Sequence, residues 1–367
     1  MSLKTIYDLT LSTLTPFHIG SGETLEKDFD YAIFKKRTWV MDTEKVAAAY
    51  MFDDNGRYVA GLETTPPAQL LRPSDFDPNS SFFHYVMPGT PHASSAGAAV
   101  QAHIKNVFSQ PYLPGSSIKG ALRTIIFREA YAAAAEPLAP HRLQRSRSWA
   151  AQEIERSLFG GDPNHDLMRA VQVTDSQPLE ASDCLQLLNV HVFGRSKVGS
   201  PIALECIKGD AVFKATLTID DYLFRDEQAQ RRLRFTADQE SWLRQLVQHA
   251  NGQVRRRIQQ EMAFYQARRK EGAARFYRQL ASLTQQMPAD TFLLQVGWGG
   301  GWDSKTAAYL LSAEEKEAVI GRYNLAKGKH RAGQPFPASR RAVSRGQGET
   351  AQAAAPLGWL LVQMSKR

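Results

Sequence analysis

The chain has 367 residues, of which 43% are hydrophobic, and it carries a formal charge of +8 with a pI near 9.4. This length and apolar content suit about two domains with buried cores, which excludes a disordered tail. The sequence lacks an apolar run of about 18 residues, and Met1 leads directly into strand-like residues. We therefore expect neither a membrane span nor a signal peptide, and we predict a cytoplasmic protein. Cys184 and Cys206 form no CxxC pair, which predicts reduced, buried side chains and no metal site.

Positive charge is concentrated in the C-terminal half. Residues 231–280 contain 12 Lys and Arg against 4 Asp and Glu, and residues 321–367 contain 9 against 1. A field of this kind attracts phosphate backbones without reading their sequence, and the binding it supports weakens as salt rises. A solvated helix face explains the segment 231–280 equally well.

The N-terminal part of the chain predicts strands, one short helix and a long connection. Asp42-Thr43 offers an N-cap for a helix over 44–51. Residues 61–98 are rich in Pro, Ser and Asp, as is typical of a connection. Alternation of apolar and polar residues favours strands at 7–12, 30–35, 38–41 and 100–107.

A first glycine segment, residues 112–120 (Tyr-Leu-Pro-Gly-Ser-Ser-Ile-Lys-Gly), follows the last of these strands. Apolar residues at helical spacing then predict a helix from Ser117 to a stop before Pro137, with an inserted segment at 137–170. Glycine permits close backbone approach, and the start of a helix presents free N–H groups, so this junction suits phosphate. Gly115 and Gly120 are also explained by a tight turn and close helix packing.

The C-terminal half predicts strands, then helices over 236–286, then a strand at 292–296 that enters a second glycine loop, residues 297–306. This loop matches the phosphate-binding pattern GxxxxGK[ST] except at Ser304, where glycine is required, and Asp303 places negative charge beside it. Too little strand-helix sequence follows for a nucleotide-binding core, so nucleotide hydrolysis is disfavoured. The strands before the helices are predicted at 171–173, 184–192, 202–207 and 211–219.

The two halves therefore echo each other, and two basic glycine junctions suggest a long phosphate-bearing partner. We predict an α+β fold of two ferredoxin-like, RRM-like domains with helical insertions. The first domain covers residues 1–170 and includes the inserted segment 137–170. The second covers residues 171–367 and includes the basic helical segment 231–286.

Five segments, in chain order, resemble the RAMP proteins of CRISPR effector complexes, and among them the terminal backbone subunit of the type III-A (Csm) complex at the 3′ end of the guide RNA. The resemblance implies a non-catalytic subunit of RAMP, ferredoxin-like fold that needs no cofactor, binds guide (CRISPR) RNA and caps a filament of related subunits in antiviral defence. It also implies contacts with target RNA, with a neighbouring RAMP backbone subunit and with the small helical subunit, and none with a membrane. The segments are residues 14–22, 112–124, 296–306, 336–341 and 356–359.

Carried over residue by residue, the resemblance assigns RNA contacts but no role to the basic helical segment. His18 can equally be a hydrogen-bonded structural residue. Trp298 and Trp302 could stack on bases, but core packing explains one of them as well. The assigned residues are His18, Ser21, Ser116, Ser117, Lys119, Arg123, Gly299, Gly300, Trp302, Ser304, Lys305, Arg340 and Arg341.

The alternative function is a RAMP-type endoribonuclease that matures CRISPR RNA, with His18 as general base and Lys119 or Lys305 as phosphate clamp. Against it, no second histidine stands in a comparable loop position, and no carboxylate pair has a spacing suited to two metals. Asp28 and Asp30 lie where other backbone RAMP subunits carry a cleaving aspartate, but strand-edge solvation explains them as well. We therefore expect a binding subunit rather than an enzyme.

Overall fold

The structure is a computed structural model that describes residues 3–52, 55–92, 99–194, 198–326, 333–346 and 348–367. Its strands are β1 (Lys4–Thr13), β2 (Gly20–Glu26), β3 (Tyr31–Phe34), β4 (Arg37–Met41), β5 (Phe83–Pro88), β6 (Ala99–His103), β7 (Val171–Val173), β8 (Leu185–Phe193), β9 (Ile202–Ile207), β10 (Val212–Asp220), β11 (Thr291–Gln295), β12 (Arg340–Arg345), β13 (Gln352–Ala355) and β14 (Trp359–Lys366).

Helices occupy the connections between these strands and the long segment between β10 and β11. They are α1 (Thr43–Tyr50), α2 (Pro67–Leu70), α3 (Gly115–Ala134), α4 (Gln152–Phe159), α5 (Ala181–Cys184), α6 (Tyr222–Arg225), α7 (Glu227–Leu233), α8 (Ala237–Arg244), α9 (Leu246–Ala267), α10 (Glu271–Leu283), α11 (Trp302–Lys305) and α12 (Ala313–Arg322). In the described part of the chain, no helix combines the length and apolarity needed to cross a bilayer.

The strands form three sheets. A five-stranded antiparallel sheet has the order β11-β14-β1-β10-β7. A six-stranded sheet has the order β13-β12-β8-β9-β6-β2, and within it β6 and β9 run parallel. A small antiparallel sheet has the order β3-β4-β5, and the turn between β3 and β4 is formed by Lys35 and Lys36.

The main core lies between the five-stranded sheet and α3. Strand β1 is hydrogen-bonded on both sides, so that Leu9 lies opposite Ala215 on one neighbour and Met364 on the other. Its buried Leu9 and Leu11 share a cluster with the apolar stripe of α3, which includes Ile118 and Leu122. The alternation at 7–12 and the helical spacing after Ser117 therefore predicted the right elements, because each apolar face is buried in this core.

The α+β fold is confirmed, whereas the division of the chain into two domains stays a prediction. Each large sheet takes strands from both sides of residue 170, with β1 and β14 in one and β6 and β12 in the other. Helices α8, α9 and α10 occupy most of the predicted helical segment 236–286. Cys184 and Cys206 are buried and free, as predicted.

The predicted connection at 61–98 was wrong in part, because it contains β5. This strand pairs with β4 and buries Phe83, Tyr85 and Val86. These apolar residues lie within a stretch rich in Pro and Ser, and that composition predicted a connection instead of a strand. Residues 93–98 of the same prediction lie outside the described residues. Strands β2, β12, β13 and β14 and helix α12 were not predicted either, since several of them are rich in glycine or alanine and show weak periodicity.

Candidate nucleic-acid interface

Three of the five segments meet in one hydrogen-bonded junction around residues 16–18. The amide of Gly358 donates to the carbonyl of Pro16 at 2.9 Å, and the amide of Trp298 donates to the carbonyl of His18 at 2.8 Å. Gly297 has a φ of 74° and lies so close to the His18 carbonyl that a Cβ would overlap it. Glycine is therefore required here because the backbone is left-handed and the contact is tight. The junction fixes the second glycine loop to the strand end after β1.

His18 lies inside this junction and acts as a structural group. Its side chain is 3% exposed, and its Nδ1 donates to the carbonyl of Glu205 at 2.7 Å. Burial lowers the pKa of His18, because a charged imidazolium would lose its hydration, and the hydrogen bond to Glu205 opposes this effect. The RNA contact assigned to His18 stays a prediction, but burial favours the structural explanation of this residue.

A buried carboxylate, Glu205 on β9, organises the residues behind His18. It accepts hydrogen bonds from the Tyr85 hydroxyl at 2.6 Å and from the His103 amide at 2.8 Å, and it pairs with the Lys105 ammonium at 2.5 Å. Because Glu205 is fully buried, each of these donors offsets part of its lost hydration. Sequence reasoning missed this group, since its partners lie about 100 residues away along the chain.

Two arginines, the buried Arg128 and the half-buried Arg257, hold the second glycine loop from inside the protein. Arg128 of α3 donates to the carbonyls of Asp303 at 2.8 Å and Thr306 at 3.0 Å, and Arg257 of α9 donates to the carbonyl of Gly300 at 2.9 Å. Burial lowers the pKa of Arg128 to about 10. These bonds turn the carbonyl groups of Gly300, Asp303 and Thr306 toward arginine side chains.

Hydroxyl groups complete this inward bonding. The Ser304 hydroxyl donates to the carbonyl of Gly301 at 3.0 Å, and the Thr306 hydroxyl donates to the carbonyl of Trp302 at 3.0 Å. Ser304 also lines a cavity of about 50 Å³ beneath the loop. Its predicted RNA contact stays a prediction, but its hydroxyl proton is already used inside the chain.

Arg340 is another inward-facing arginine. Its side chain is 13% exposed, and it pairs with Glu261 at 2.8 Å and with Asp303 at 3.2 Å. Its guanidinium also lies over the ring of Phe264, 4.4 Å from the centroid. These bonds join the second glycine loop, β12 and α9, so the geometry assigns Arg340 a structural role, and its predicted RNA contact remains untested.

The outer side of the second glycine loop borders a cleft of about 160 Å³. The loop segment 299–303 forms one wall, and residues 336–341 form the other. Trp302 packs edge-on against Phe336 at 4.8 Å between centroids, which favours the packing explanation for this tryptophan. Arg341 is exposed, and its guanidinium lies 4.7 Å from the centroid of the Trp298 ring. The structure thus brings together Gly299, Gly300, Trp302, Arg340 and Arg341, and it leaves Lys305 exposed on the following turn.

The first glycine junction differs from the expected phosphate site. The amide of Gly115, the first residue of α3, donates to the carboxylate of Asp175 at 2.7 Å, and the amide of Ser117 donates to the Pro114 carbonyl at 3.0 Å. A phosphate at this helix end would meet the chain's own anion, so the prediction of a phosphate site in the helix N-terminus is disfavoured on electrostatic grounds. Ser116 is exposed, while Ser117 is half-buried.

Lys119 and Arg123 face a groove of about 550 Å³ between α3 and the inserted segment. Arg123 is committed to ion pairs with Glu155 and Asp166, each at 2.9 Å, whereas Lys119 makes no ion pair with any described residue. Burial lowers the pKa of Lys119, and the Asp166 carboxylate opposes that shift. Lys119 is therefore the available cation of the first junction.

The two junctions open on different sides of α3. Lys119 and Arg128 are nine positions apart, which at about 100° per residue places them on opposite faces, roughly 14 Å apart along the axis. Arg128 contacts the second glycine loop, while Lys119 faces the groove. Ser21 is exposed on the edge strand β2, where its hydroxyl lies 3.4 Å from the Ala102 carbonyl. A single track that passes both lysines stays a prediction, and such a track would have to cross α3.

Comparison with known proteins places this geometry in a family. The profile of the RAMP superfamily matches residues 10–302. Two relatives from Mycobacterium tuberculosis (strains CDC 1551 / Oshkosh and ATCC 25618 / H37Rv), both called "CRISPR system Cms protein Csm5", are 27% identical over 250 residues, covering 58% of this chain and 66% of theirs. A relative of the same name from Streptococcus thermophilus is 25% identical over 206 residues, covering 47% of this chain and 52% of its own. The matches thus span between about half and two thirds of these relatives.

Solved structures share the fold over nearly the whole chain. A chain of a "Csm-crRNA-target RNA ternary complex in type III-A CRISPR-Cas system", solved by cryo-EM, superposes with a TM-score of 0.66 at 21% identity and covers 98% of this chain and 100% of its own. The crystal structure of "T.onnurineus Csm5" gives a TM-score of 0.65 at 19% identity, covering 96% and 99%. The α+β architecture and the family match over residues 10–302 lead to one conclusion: this chain belongs to the RAMP superfamily.

Proposed function

We propose that this chain is a guide-RNA-binding subunit of a type III-A CRISPR effector complex, and that it caps the 3′-end side of the backbone filament without cleaving RNA. The names of the curated relatives and of the structural neighbour support the complex. In this proposal the partners are the guide RNA, the target RNA, a neighbouring RAMP backbone subunit and the small helical subunit, in the cytoplasm.

One observation carries the RNA-binding part of the proposal: the second glycine loop is held by Arg128 and Arg257 on its inner side and borders a cleft on its outer side. The cleft offers Arg341, whose guanidinium lies over the ring of Trp298, and the exposed Lys305 follows the loop. Arginine suits phosphate through paired N–H donors, and neutral backbone amides add contacts that do not depend on base sequence. The surface therefore fits a ribose-phosphate chain.

An exposed apolar tip supports the capping part of the proposal, since a terminal subunit must bury a face against its neighbour. Val107 and Phe108 are 93% and 78% exposed at the turn between β6 and the first glycine segment. The turn is preorganised, because the Asn106 side-chain oxygen accepts from the amides of Phe108 and Gln110, both at 3.0 Å. A rigid apolar pair of this kind suits a pocket on a neighbouring protein.

The position of His18 disfavours the endoribonuclease alternative. Its proposed general base, His18, is buried and donates its Nδ1 proton to the Glu205 carbonyl. A general base must reach the proton it removes within about 3 Å, directly or through one water. The binding role is the better supported function for these residues.

A salt titration tests the binding role. Labelled single-stranded RNA of about 16 nucleotides is bound by the isolated chain at several salt concentrations, and by the variant Lys305→Gln/Arg341→Gln. Each lost phosphate contact on a single strand lowers the slope of log K against log salt by about 0.7, so the double variant is expected to lose about 1.4. Lys45→Gln on α1 is the matched control, because Lys45 is a surface cation remote in sequence from the loop.

Three results would each reject a part of the proposal. If the slope of log K against log salt is identical for the parent and the double variant, the second glycine loop does not contact the RNA phosphates. The tagged chain can also be purified from cells that express its complete effector complex. If neither guide RNA nor any RAMP backbone subunit copurifies with it, the chain is not a subunit of that complex. Cleavage of a guide precursor by the pure chain, lost in His18→Ala, would favour the endoribonuclease.

A further inference from the structure

The groove between α3 and the inserted segment carries features that the glycine junctions do not explain. With a volume of about 550 Å³, it falls within the size range of small-molecule sites. One wall is α3 with Lys119 and Arg123, the opposite wall is α4 with Arg156, and the loop that follows α4 closes one side with Arg169. Trp149, from a short 3₁₀ turn ahead of α4, stands at its rim.

The carboxylates of the groove already accept hydrogen bonds from groups inside the chain. Glu155 and Asp166 are both paired with Arg123, and Asp166 also accepts from the Met168 amide at 2.8 Å. The Asp162 carboxylate accepts a hydrogen bond from the Asn164 amide at 2.8 Å and lies 2.8 Å from Nδ1 of His165. The hydrogen bond with His165 is the largest cause of the lowered pKa of Asp162. The acids therefore position Arg123 and the loop rather than serve a ligand.

The remaining cations of the groove lack acidic partners. Lys119 and Arg156 form no ion pair with any described residue, and Arg169 donates to a neutral group, the Asn164 carbonyl, at 3.1 Å. Lys119 is half-buried, so its ammonium has lost part of its hydration, and this loss is offset only by the nearby Asp166 carboxylate, which is itself paired with Arg123. A half-buried cation of this kind gains more from an anion than a fully hydrated one does, because the local dielectric is lower.

Trp149 supplies the second element of the site, a planar apolar face. Its side chain is 59% exposed, although indole groups are usually buried. The backbone beneath it is fixed, since the Trp149 amide donates to the Ser146 carbonyl at 3.1 Å and the Ala150 amide donates to the Arg147 carbonyl at 3.4 Å. An exposed indole beside unpaired cations is the combination by which proteins stack bases and hold phosphates of single strands.

We propose that this groove binds one nucleotide unit of single-stranded RNA, with the base stacked on Trp149 and the phosphate held by Lys119 and Arg169. The inference rests on the proposed function and adds to it a base-contacting residue in the inserted segment. Stacking accepts any base, so the groove is expected to bind without strong sequence preference. An acidic peptide offers no planar group for the indole, which makes it the weaker fit for the same cations.

The test uses the full chain and a fluorescently labelled single-stranded RNA of about 16 nucleotides. Trp149→Ala is expected to weaken binding between about 5-fold and 150-fold, the measured range for loss of one stacked base. Trp149→Phe keeps a stacking ring and is expected to bind within a few-fold of the parent. Lys119→Gln is expected to lower the salt slope by about 0.7, as one lost phosphate contact on a single strand would.

Matched controls separate the groove from general surface effects. Phe52→Ala removes an aromatic residue of similar exposure, 57% against 59%, just after α1, and Lys45→Gln removes a surface cation from α1; both are expected to bind RNA as the parent does. Thermal melts of each variant establish that the fold is retained. Competition with polyglutamate measures the acidic-peptide alternative directly.

The outcomes distinguish this inference from the proposed function. Weak binding by Trp149→Ala that Trp149→Phe restores would support the stacked base. Parent-like RNA affinity in Trp149→Ala, or displacement of RNA by polyglutamate at equal charge concentration, would overturn the groove while leaving the glycine loop as RNA site. Failure of the parent chain to bind RNA at all would overturn both.

Discussion

Gly120, in the second turn of α3, has no packing reason to be glycine within the described residues. Its position is exposed, and no described atom lies within 4 Å of where its Cβ would stand. Gly115, five residues earlier, is different, because its Cβ would overlap the carbonyl of Val173 and lie 2.7 Å from the Thr174 carbonyl. The two glycines of one motif therefore permit opposite predictions for the same change to alanine.

For Gly120→Ala we expect higher stability and weaker RNA binding. An exposed glycine inside a helix is about 0.5 to 1 kcal/mol less favourable than alanine, so the free energy of unfolding should rise by that amount. If the RNA backbone passes over the helix beside Ser116 and Lys119, the added methyl group holds it away from both. A loss of about 1 kcal/mol in binding corresponds to roughly fivefold weaker affinity.

Urea unfolding and fluorescence polarisation with labelled single-stranded RNA measure the two effects on the same protein. Gly115→Ala serves as the comparison, with an expected loss of about 1 to 3 kcal/mol in unfolding free energy from overpacking against the strand-end backbone. A stabilised Gly120→Ala that binds RNA as tightly as the parent would refute the path over α3. A fully stable Gly115→Ala would contradict the packing geometry itself.

Three further outcomes follow from buried groups. Glu205→Gln should lower the unfolding free energy by about 3 to 5 kcal/mol, because the Lys105 ammonium is left without its buried partner; a loss below about 1 kcal/mol in urea unfolding would contradict this. Burial, with the nearby cations, holds the pKa of His103 well below its usual value near 6.5, so the unfolded chain takes up the proton first as pH falls. The free energy of unfolding should therefore be constant above about pH 6.5 and fall by up to 1.4 kcal/mol per pH unit below it. In His103→Gln this fall with pH should be smaller. In Arg128→Met, two lost charge-assisted bonds of about 1.5 to 3 kcal/mol each are offset by about 3 kcal/mol of relieved burial, which leaves a net loss of about 0 to 3 kcal/mol. Hydrogen exchange should accelerate in the second glycine loop of that variant, and unchanged exchange would contradict the role of Arg128 in holding it.

The sequence predicted the elements whose apolar residues recur with a clear period. Strand β1, helix α3 and the basic helices α8 to α10 were found in this way, whereas α1 was predicted from its Asp42 cap. Each of them buries one face, and the period follows directly from that burial. The weakly patterned strands β12 and β13 were missed because Ala342, Ala353 and their neighbours carry little apolar contrast.

Residue roles were harder to predict than elements, because they depend on partners distant in the chain. Arg123 carries the same motif signature as Lys119, yet the inserted segment supplies it with Glu155 and Asp166 while Lys119 makes no ion pair within the described residues. Arg340 and Arg341 are adjacent in sequence, but strand alternation turns the first toward Glu261 and the second to the surface. Trp149 had no motif at all, and only its exposure in the folded chain draws attention to it.

The position of β1 between β10 and β14 has a consequence for synthesis on the ribosome. Leu9 finds its partners Ala215 and Met364 more than 200 and 350 residues later. At about 5 to 20 residues per second, β1 waits roughly 20 to 70 seconds after its own synthesis before its second neighbour is made. Both edges of this strand are open to pairing with other chains until β10 is made, and the edge that pairs with β14 stays open for the whole interval, so nascent β1 is a natural client for a chaperone.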